Sequence, residues 1–425
     1  MYKFLFSNSK VTNIIYTIIY IALFVTIWKE YCVPIWGYMH YYYVDSPLSF
    51  QLFTYILTII PILLYDKVKN VSSFISFIIY IFVYIPSMLG LMLSHGNSDE
   101  YNVQAYLIVM FLCMCLFFLA DKHSIKINIS RNRPIPVIAV VVLAAIITFF
   151  LLYTYSGRMR FVGLADIYTL RAENSSVVSG FWGYLEPWAR SFFYPFLFVY
   201  GYLKKRWPFM AFGIAGFVML FTISASKGTL LSPLIMLFFL KLYDWQQKYN
   251  FNIYALAIFG LSLLISIALL WYDSSPFIGA FATVFLQRSI TCEGWLIAGW
   301  YVPFFKDHPY TYFTSINAVR AIGFDSPYGD AALGEVVSEG GMNANANFWC
   351  MDGIAGAGPA GIIIISLIIY FYFIFMNGLS KKTNMSFLLM MLIIPSISLV
   401  NVSFFTYLLT FGILWVIIAA LYVKF

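Results

Sequence analysis

The sequence predicts an all-α polytopic membrane protein, and three observations carry that prediction. Hydrophobic residues make up 62% of the 425 residues and charged residues only 10%, a balance that excludes a soluble globular chain. The apolar residues fall into about 12 long runs separated by polar connectors, and the runs are continuous, without the period-two alternation of barrel strands. The connectors also sort by charge. With Lys3 and Lys10 taken as cytoplasmic, that side holds 16 of the 25 Lys and Arg and 3 of the 18 Asp and Glu, a sum of +13. The other side holds 9 bases and 15 acids, a sum of −6, so the positive-inside rule is obeyed throughout.

A helical crossing needs about 17–25 apolar residues. The expected spans are 11–28, 48–65, 71–93, 103–120, 135–155, 181–203, 207–224, 228–242, 251–271, 360–376, 387–400 and 404–423. The first run lacks an A-x-A-like end and is followed by Lys29 and Glu30, so it reads as a retained anchor. The net charge of +7 resides largely in cytoplasmic connectors, among them Lys204, Lys205, Arg206 and Lys122, Lys126, Arg131, Arg133. Membrane orientation explains it, and no nucleic-acid partner is expected. The chain is expected to form one integral membrane domain, 1–425, with two long outer loops, 156–180 and 272–359.

Neither cysteine nor histidine spacing suggests a metal centre or a metal cofactor. Cys113 and Cys115 fall within a span, while Cys32, Cys292 and Cys350 fall on the outer side. A Cys292–Cys350 bridge is open there, with free thiols the preferred reading. His40, His95, His123 and His308 are scattered, and only His308 lies in the longer loop, as a weak base candidate. There is no GxSxG and no Walker sequence, so any reaction must draw its energy from the substrate or a gradient.

The loop 272–359 is far longer than a connector requires, which favours a functional element. Two moderately apolar stretches in it, 277–286 and 295–305, flank Arg288 and Glu293. Read as one span they would place Arg288 near the bilayer centre, at about 2.5–3.5 kcal/mol, and would invert Lys381, Lys382 and Lys424. Two re-entrant or interface-lying helices are expected instead. Residues 310–323 have helical potential, with Ile316, Val319 and Ile322 at helical spacing. The acid-rich stretch with Asp325, Asp330, Glu335 and Glu339 then leads to Asn343, Asn345 and Asn347, followed by Phe348, Trp349 and Asp352. Alternating carboxamides can both donate to and accept from sugar hydroxyls; a capping and turn cluster before a helix is the equal alternative.

Cations at the outer boundary form the second group of candidates. Lys227 sits among small residues between two spans, where it can meet an anion or simply snorkel. Glu186 and Arg190 have the i,i+4 spacing of a local ion pair. Arg158, Arg160, Arg171, Arg288 and Arg320 complete the set. Arginines on a net-negative face suggest a phosphate or pyrophosphate site, because guanidinium offers a bidentate fork.

At these residues the chain resembles the oligosaccharide repeat-unit polymerases, the Wzy-type O-antigen or capsular polymerases. The carrying segments are Leu164-Ala165-Asp166-Ile167-Tyr168-Thr169-Leu170-Arg171, Ser224 to Gly228, Arg288 in its apolar setting, and Asn343 to Gly353 with the following Gly356-Ala357-Gly358-Pro359-Ala360-Gly361. They cover under a quarter of the chain, in family order. One departure is Cys350-Met351 ahead of Asp352, where small or acidic residues are expected. The resemblance implies a membrane glycosyltransferase of GT-C type with a long helical periplasmic loop, in the bacterial inner membrane with its active site facing the periplasm. The family moves a growing glycan from undecaprenyl pyrophosphate to a fresh lipid-linked unit with inversion, using no cofactor and no obligatory metal. The implied partners are undecaprenyl-pyrophosphate-linked oligosaccharide and membrane lipid; a chain-length regulator protein stays open.

The residues suit that chemistry. Charge builds on the leaving pyrophosphate, and preorganised cations aimed at it are the main catalytic resource. Arg171 and Arg288 are the leading candidates, with Arg158, Arg160, Lys227 and Arg320 beside them. The acceptor hydroxyl needs a general base, with Asp352 and Glu339 ranked ahead of Glu335 and Glu293. Asn343, Asn345 and Asn347 are expected to orient sugars, and Trp295, Trp300 or Trp349 to stack on them. An O-antigen ligase, delivering the same donor to lipid A-core, is the nearest alternative. A flippase or transporter is disfavoured by the near absence of charge within the spans, and a membrane acyltransferase by the absence of a suitable histidine.

Overall fold

The computed structural model describes residues 10–127, 135–163, 166–175 and 177–423. Lys3, Arg131, Arg133, Leu164, Ala165 and Lys424 lie outside them, as does the side chain of Tyr168. The regular structure of the described residues is all helical apart from an isolated bridge between Ile135 and Val423. Eight helices among them are long and apolar enough to cross a membrane: α1 Lys10–Met39, α3 Val71–His95, α4 Val103–Lys122, α5 Val137–Thr154, α8 Trp207–Ser224, α9 Lys227–Tyr249, α10 Ile253–Leu270 and α14 Trp349–Ser380. The protein is therefore membrane-embedded.

The other expected spans depart from a full-length apolar helix in specific ways. Helix α2 (Leu48–Leu64) and helix α15 (Met385–Asn401) are shorter. Helix α7 (180–203) is continuous but carries Glu186, Pro187 and Arg190. The last run is broken into α16 (Phe404–Leu409) and α17 (Ile413–Tyr422) by a left-handed Gly412 with φ of 70°. An apolar run in a sequence does not reveal such a break when the residues around the glycine are themselves apolar.

The chain divides into two compact units, which interleave along the sequence. Unit 1 comprises residues 1–124, 245–376 and 399–404; unit 2 comprises 125–244, 377–398 and 405–425. Each sorts its connectors as the charge pattern expects. At one end of unit 1, the Asn70 amide donates to Asp121, the Gln246 amide to the Val68 carbonyl, and the Asn252 amide to Asn13. At its other end, Val44 N–H donates to the Leu93 carbonyl and His95 Nε2 lies 2.7 Å from the Ala298 carbonyl. In unit 2 Ile135 N–H donates to the Tyr422 carbonyl, and Thr383 to that of Ala420, joining segments expected on one side. Outward faces carry large aliphatic residues, such as Ile138, Val142 and Ile146 on α5, as lipid contact requires.

The longer loop contains one helix where two were expected. Residues 276–307 form a continuous helix, α11, with π-helical turns at Leu286–Thr291 and Leu296–Tyr301. No proline or paired glycine separates its two apolar halves, and the wider turns keep the polar residues between them in one helix. It does not cross the unit. Its start meets Tyr272, whose ring lies against Tyr31, and near its end Lys306 pairs with Glu100 in the turn after His95. Both contacts belong to the His95 end. Glycines seat α11 deeply against α3. A Cβ on Gly294 would come 2.4 Å from the Pro86 carbonyl oxygen, and one on Gly90 2.4 Å from that of Gly294. Backbone-to-backbone contact through small residues is how helices associate in lipid.

Candidate functional site

In unit 2 the segment 156–175 folds onto the end of α8. The last carbonyls of a helix lack intrahelical donors, and three successive ones here find donors in this segment. Thr222 accepts from the Arg160 backbone N–H at 3.2 Å, Ile223 from Asn174 Nδ2 at 2.7 Å, and Ser224 from Arg171 Nε at 2.9 Å. Helix α6 (Ile167–Ser175) presents both Arg171 and Asn174. Arg160 Nη2 lies 2.8 Å from Glu173 Oε2, and Arg158 Nη1 donates to the Glu173 carbonyl at 2.9 Å. Three of the predicted arginines thus gather around one helix end, whose partial negative charge favours cations.

The chain then turns through Ala225, in the left-handed conformation with φ of 48°, and enters α9 at Lys227. Lys227 is exposed and stands at the start of a 23-residue helix, where free N–H groups and the dipole favour an anion. Asn174 is buried, and its Oδ1 has no partner among the described residues. Nearby in the chain, Glu186 and Arg190 make the expected local ion pair at 3.6 Å.

In unit 1 the asparagine-rich segment sorts by exposure. Asn343 and Asn345 are exposed, and both carboxamide oxygens close on Gly334 at the start of α13 (Leu333–Val337). Asn347 is wholly buried. Its Oδ1 accepts from the N–H groups of Trp349 and Cys350 at 2.8 and 3.3 Å, while its backbone N–H and Nδ2 both donate to Glu293 Oε2. It is a helix cap, anchored from α11. Trp349 is also wholly buried, stacked on Phe117 and donating through Nε1 to Ser366. A sugar ring cannot reach it in this conformation.

Asp352, a candidate base, is held inside the fold. It is 2% exposed, and its Oδ2 accepts the Phe404 N–H at 2.6 Å. It thereby supplies an acceptor where the chain breaks between α15 and α16. The glycines that follow are structural too. The kink at Ala357–Gly358 leaves carbonyls without helical donors, and Thr311 N–H reaches Ala355 at 2.7 Å while Tyr312 N–H reaches Gly356 at 3.1 Å. Glu335 and Glu339 remain exposed, Glu339 in a turn with φ of 52°.

Arg288 is exposed on the first π-helical turn of α11, with no ion pair among the described residues. Arg320 is instead committed within its own loop. It donates to the Thr314 carbonyl, the Gly329 carbonyl and Asp330 Oδ1 at 2.7, 2.8 and 2.7 Å. The helix expected over 310–323 is only Asn317–Ala321 (α12). His308 stacks on Phe304 with Nδ1 2.9 Å from that residue's carbonyl. All five cysteines are free thiols.

Glu293 is the carboxyl most altered by its surroundings. Burial pushes it up to about 8 from 4.5, against the lowering effect of its two bonds from Asn347. Its Oε1 has no partner. Sequence reasoning placed it, with Glu335, behind Asp352 and Glu339 because nothing local distinguishes it; the glycine contact of α11 with α3 takes it inside. Reasoning from sequence also passed over His40, which the run His40-Tyr41-Tyr42-Tyr43 could have flagged as an aromatic cluster.

No protein-family model, curated protein or solved structure matches the chain.

Proposed function

We propose that this protein is a polysaccharide polymerase. It joins undecaprenyl-pyrophosphate-linked oligosaccharide units at the outer leaflet of the bacterial inner membrane, by inverting glycosyl transfer. The proposed topology has about twelve crossings, counting the shorter helices, in a GT-C-like arrangement. The observation that carries the reading is the gathering of Arg158, Arg160 and Arg171 around Glu173 and the α8 end. It lies immediately before Lys227 and the start of α9. Guanidinium forks, an ammonium and free N–H groups at one turn are the equipment for holding a departing diphosphate.

In this reading Arg171 and Lys227 take the pyrophosphate, while Arg158 and Arg160 exchange Glu173 for phosphate oxygens. Arg288, exposed with no ion pair among the described residues, is a further candidate cation for the reaction. Glu339 is the preferred base because it is exposed, and Asn343 and Asn345 remain available to sugar hydroxyls. Asp352, Asn347 and Trp349 act by holding the loop and helix starts in place.

Deleting the gene and measuring glycan length on isolated envelopes tests this. The polymerase reading expects a core capped by a single repeat unit. Envelopes with no glycan attached would indicate the ligase, and reconstituted protein that moves lipid-linked units across vesicles without elongating them would indicate a flippase.

A further inference from the structure

A cavity of about 810 Å³ opens at the His95 end of unit 1. Its walls come from the turn after α1, the end of α3 and the following turn, and the last part of α11. The volume lies within the range of pockets that enclose small molecules, about 300–1,000 Å³. His40, Tyr42, Tyr43, His95, Ser98 and Tyr101 supply its chemistry; no Lys, Arg, Asp or Glu among the described residues lines it, and Lys29 and Lys306 stand over the Tyr43 and Tyr101 rings.

That composition narrows the occupant. A phosphate needs cationic partners, and a polyprenyl tail needs a wholly apolar wall; this lining has neither. Aromatic faces with hydroxyl and imidazole edges suit a ring that is apolar on its faces and hydroxylated at its rim. The walls are also held in place. The His95 ring lies 4.1 Å from that of Tyr101, and the His40 ring 4.3 Å from that of Trp300.

His40 itself takes the left-handed conformation, with φ of 66° and ψ of 29°. Such strain in a non-glycine residue persists only where the surroundings enforce it, and it concentrates at functional sites. Helix α11 packs directly on it: a Cβ on Gly299 would lie 2.8 Å from the His40 carbonyl oxygen. The indole Nε1 of neighbouring Trp300 is buried without a partner.

We infer that this cavity binds an uncharged sugar residue. Resting on the polymerase reading, it is the subsite for a neutral sugar of the lipid-linked oligosaccharide. The test is saturation-transfer NMR on the full chain in lipid nanodiscs. The probes are glucose, galactose, N-acetylglucosamine, lactose and, as the charged comparison, glucuronic acid.

At least one neutral sugar should receive saturation and glucuronic acid should not. Binding should fall about tenfold in Tyr101→Ala, as removal of one aromatic wall implies. It should fall similarly in Ser98→Phe, which fills the cavity from an accessible turn. Absence of transfer to every neutral sugar, or transfer unaffected by both cavity variants, would overturn the inference. Sugar binding by a protein that elongates nothing would uphold the cavity and overturn the polymerase reading.

Discussion

Glu293 Oε2 accepts both the backbone N–H of Asn347, at 3.0 Å, and its side-chain Nδ2, at 2.5 Å. One carboxyl of α11 thereby fixes the residue that caps the start of α14. Removing a buried partner leaves polar groups without water or protein, which costs about 1–3 kcal/mol. Asn347→Ala should lower the melting temperature of the purified protein, and Asn347→Asp should do so more strongly as pH rises. Unchanged melting in both would show that the clamp contributes nothing.

The same pair gives a pH dependence. Burial raises the Glu293 carboxyl to about 8 in the folded protein, from 4.5. Below about 4.5 both folded and unfolded chains carry the proton, so stability is unaffected. Between 4.5 and 8 the unfolded chain loses it first, and this group's contribution to stability declines as pH rises. Above about 8 the penalty is constant. Glu293→Gln keeps an acceptor for Asn347 without the charge, so its melting temperature should fall less than the wild type's between pH 5 and pH 8. Parallel pH profiles would contradict the assignment.

Arg288 and Arg320 should separate cleanly. Arg288 is exposed with no ion pair among the described residues, so Arg288→Ala should change stability by less than about 0.5 kcal/mol while removing polymer. Arg320 makes three bonds that tie Thr314 to Gly329 and Asp330. Arg320→Ala should make that loop susceptible to limited proteolysis before any effect on elongation is sought. Equal protease resistance would assign those bonds no role.

Gly294 should tolerate no side chain. Its neighbour across the helix contact is backbone, the Pro86 carbonyl oxygen, which cannot rotate away. Gly294→Val should cost about 3 kcal/mol, visible as loss of folded protein from the membrane fraction. Normal abundance would mean that α11 can withdraw from α3.

The all-helical membrane architecture was legible because it rests on a local property, the apolar runs, and the position of charges grouped connectors that meet in space. Asn70 meeting Asp121, and Lys306 meeting Glu100, agree with that sorting. What the sequence hid depends on through-space packing. Arg171 and Ser224 lie 53 residues apart, and their meeting leaves no local periodicity to read. Asp352 reads as a polar residue before a membrane helix, the same local signature as a surface base. Its burial follows from the break at residue 404, which nothing near residue 352 announces. The caps were legible as one of two equal alternatives: Asn347 proved to be a cap, while Asn343 and Asn345 stayed exposed.

Arg171 carries the functional reading, and its Ala variant should separate catalysis from folding. It is exposed and holds one carbonyl of α8, so the protein should remain at normal abundance. Loss of a preorganised cation at developing charge costs on the order of 10²–10³-fold in rate, enough to abolish visible ladders. A near-normal ladder from Arg171→Ala would remove this residue from the active site.

The most direct test is the position of undecaprenyl pyrophosphate bound to the protein in a lipid nanodisc, determined by electron cryomicroscopy. The account predicts diphosphate density at the turn between α8 and α9, within hydrogen-bonding distance of Arg171 and Lys227, with Arg160 released from Glu173. Density elsewhere, with Arg160 still on Glu173 and Arg171 still bonded only to Ser224, would contradict it.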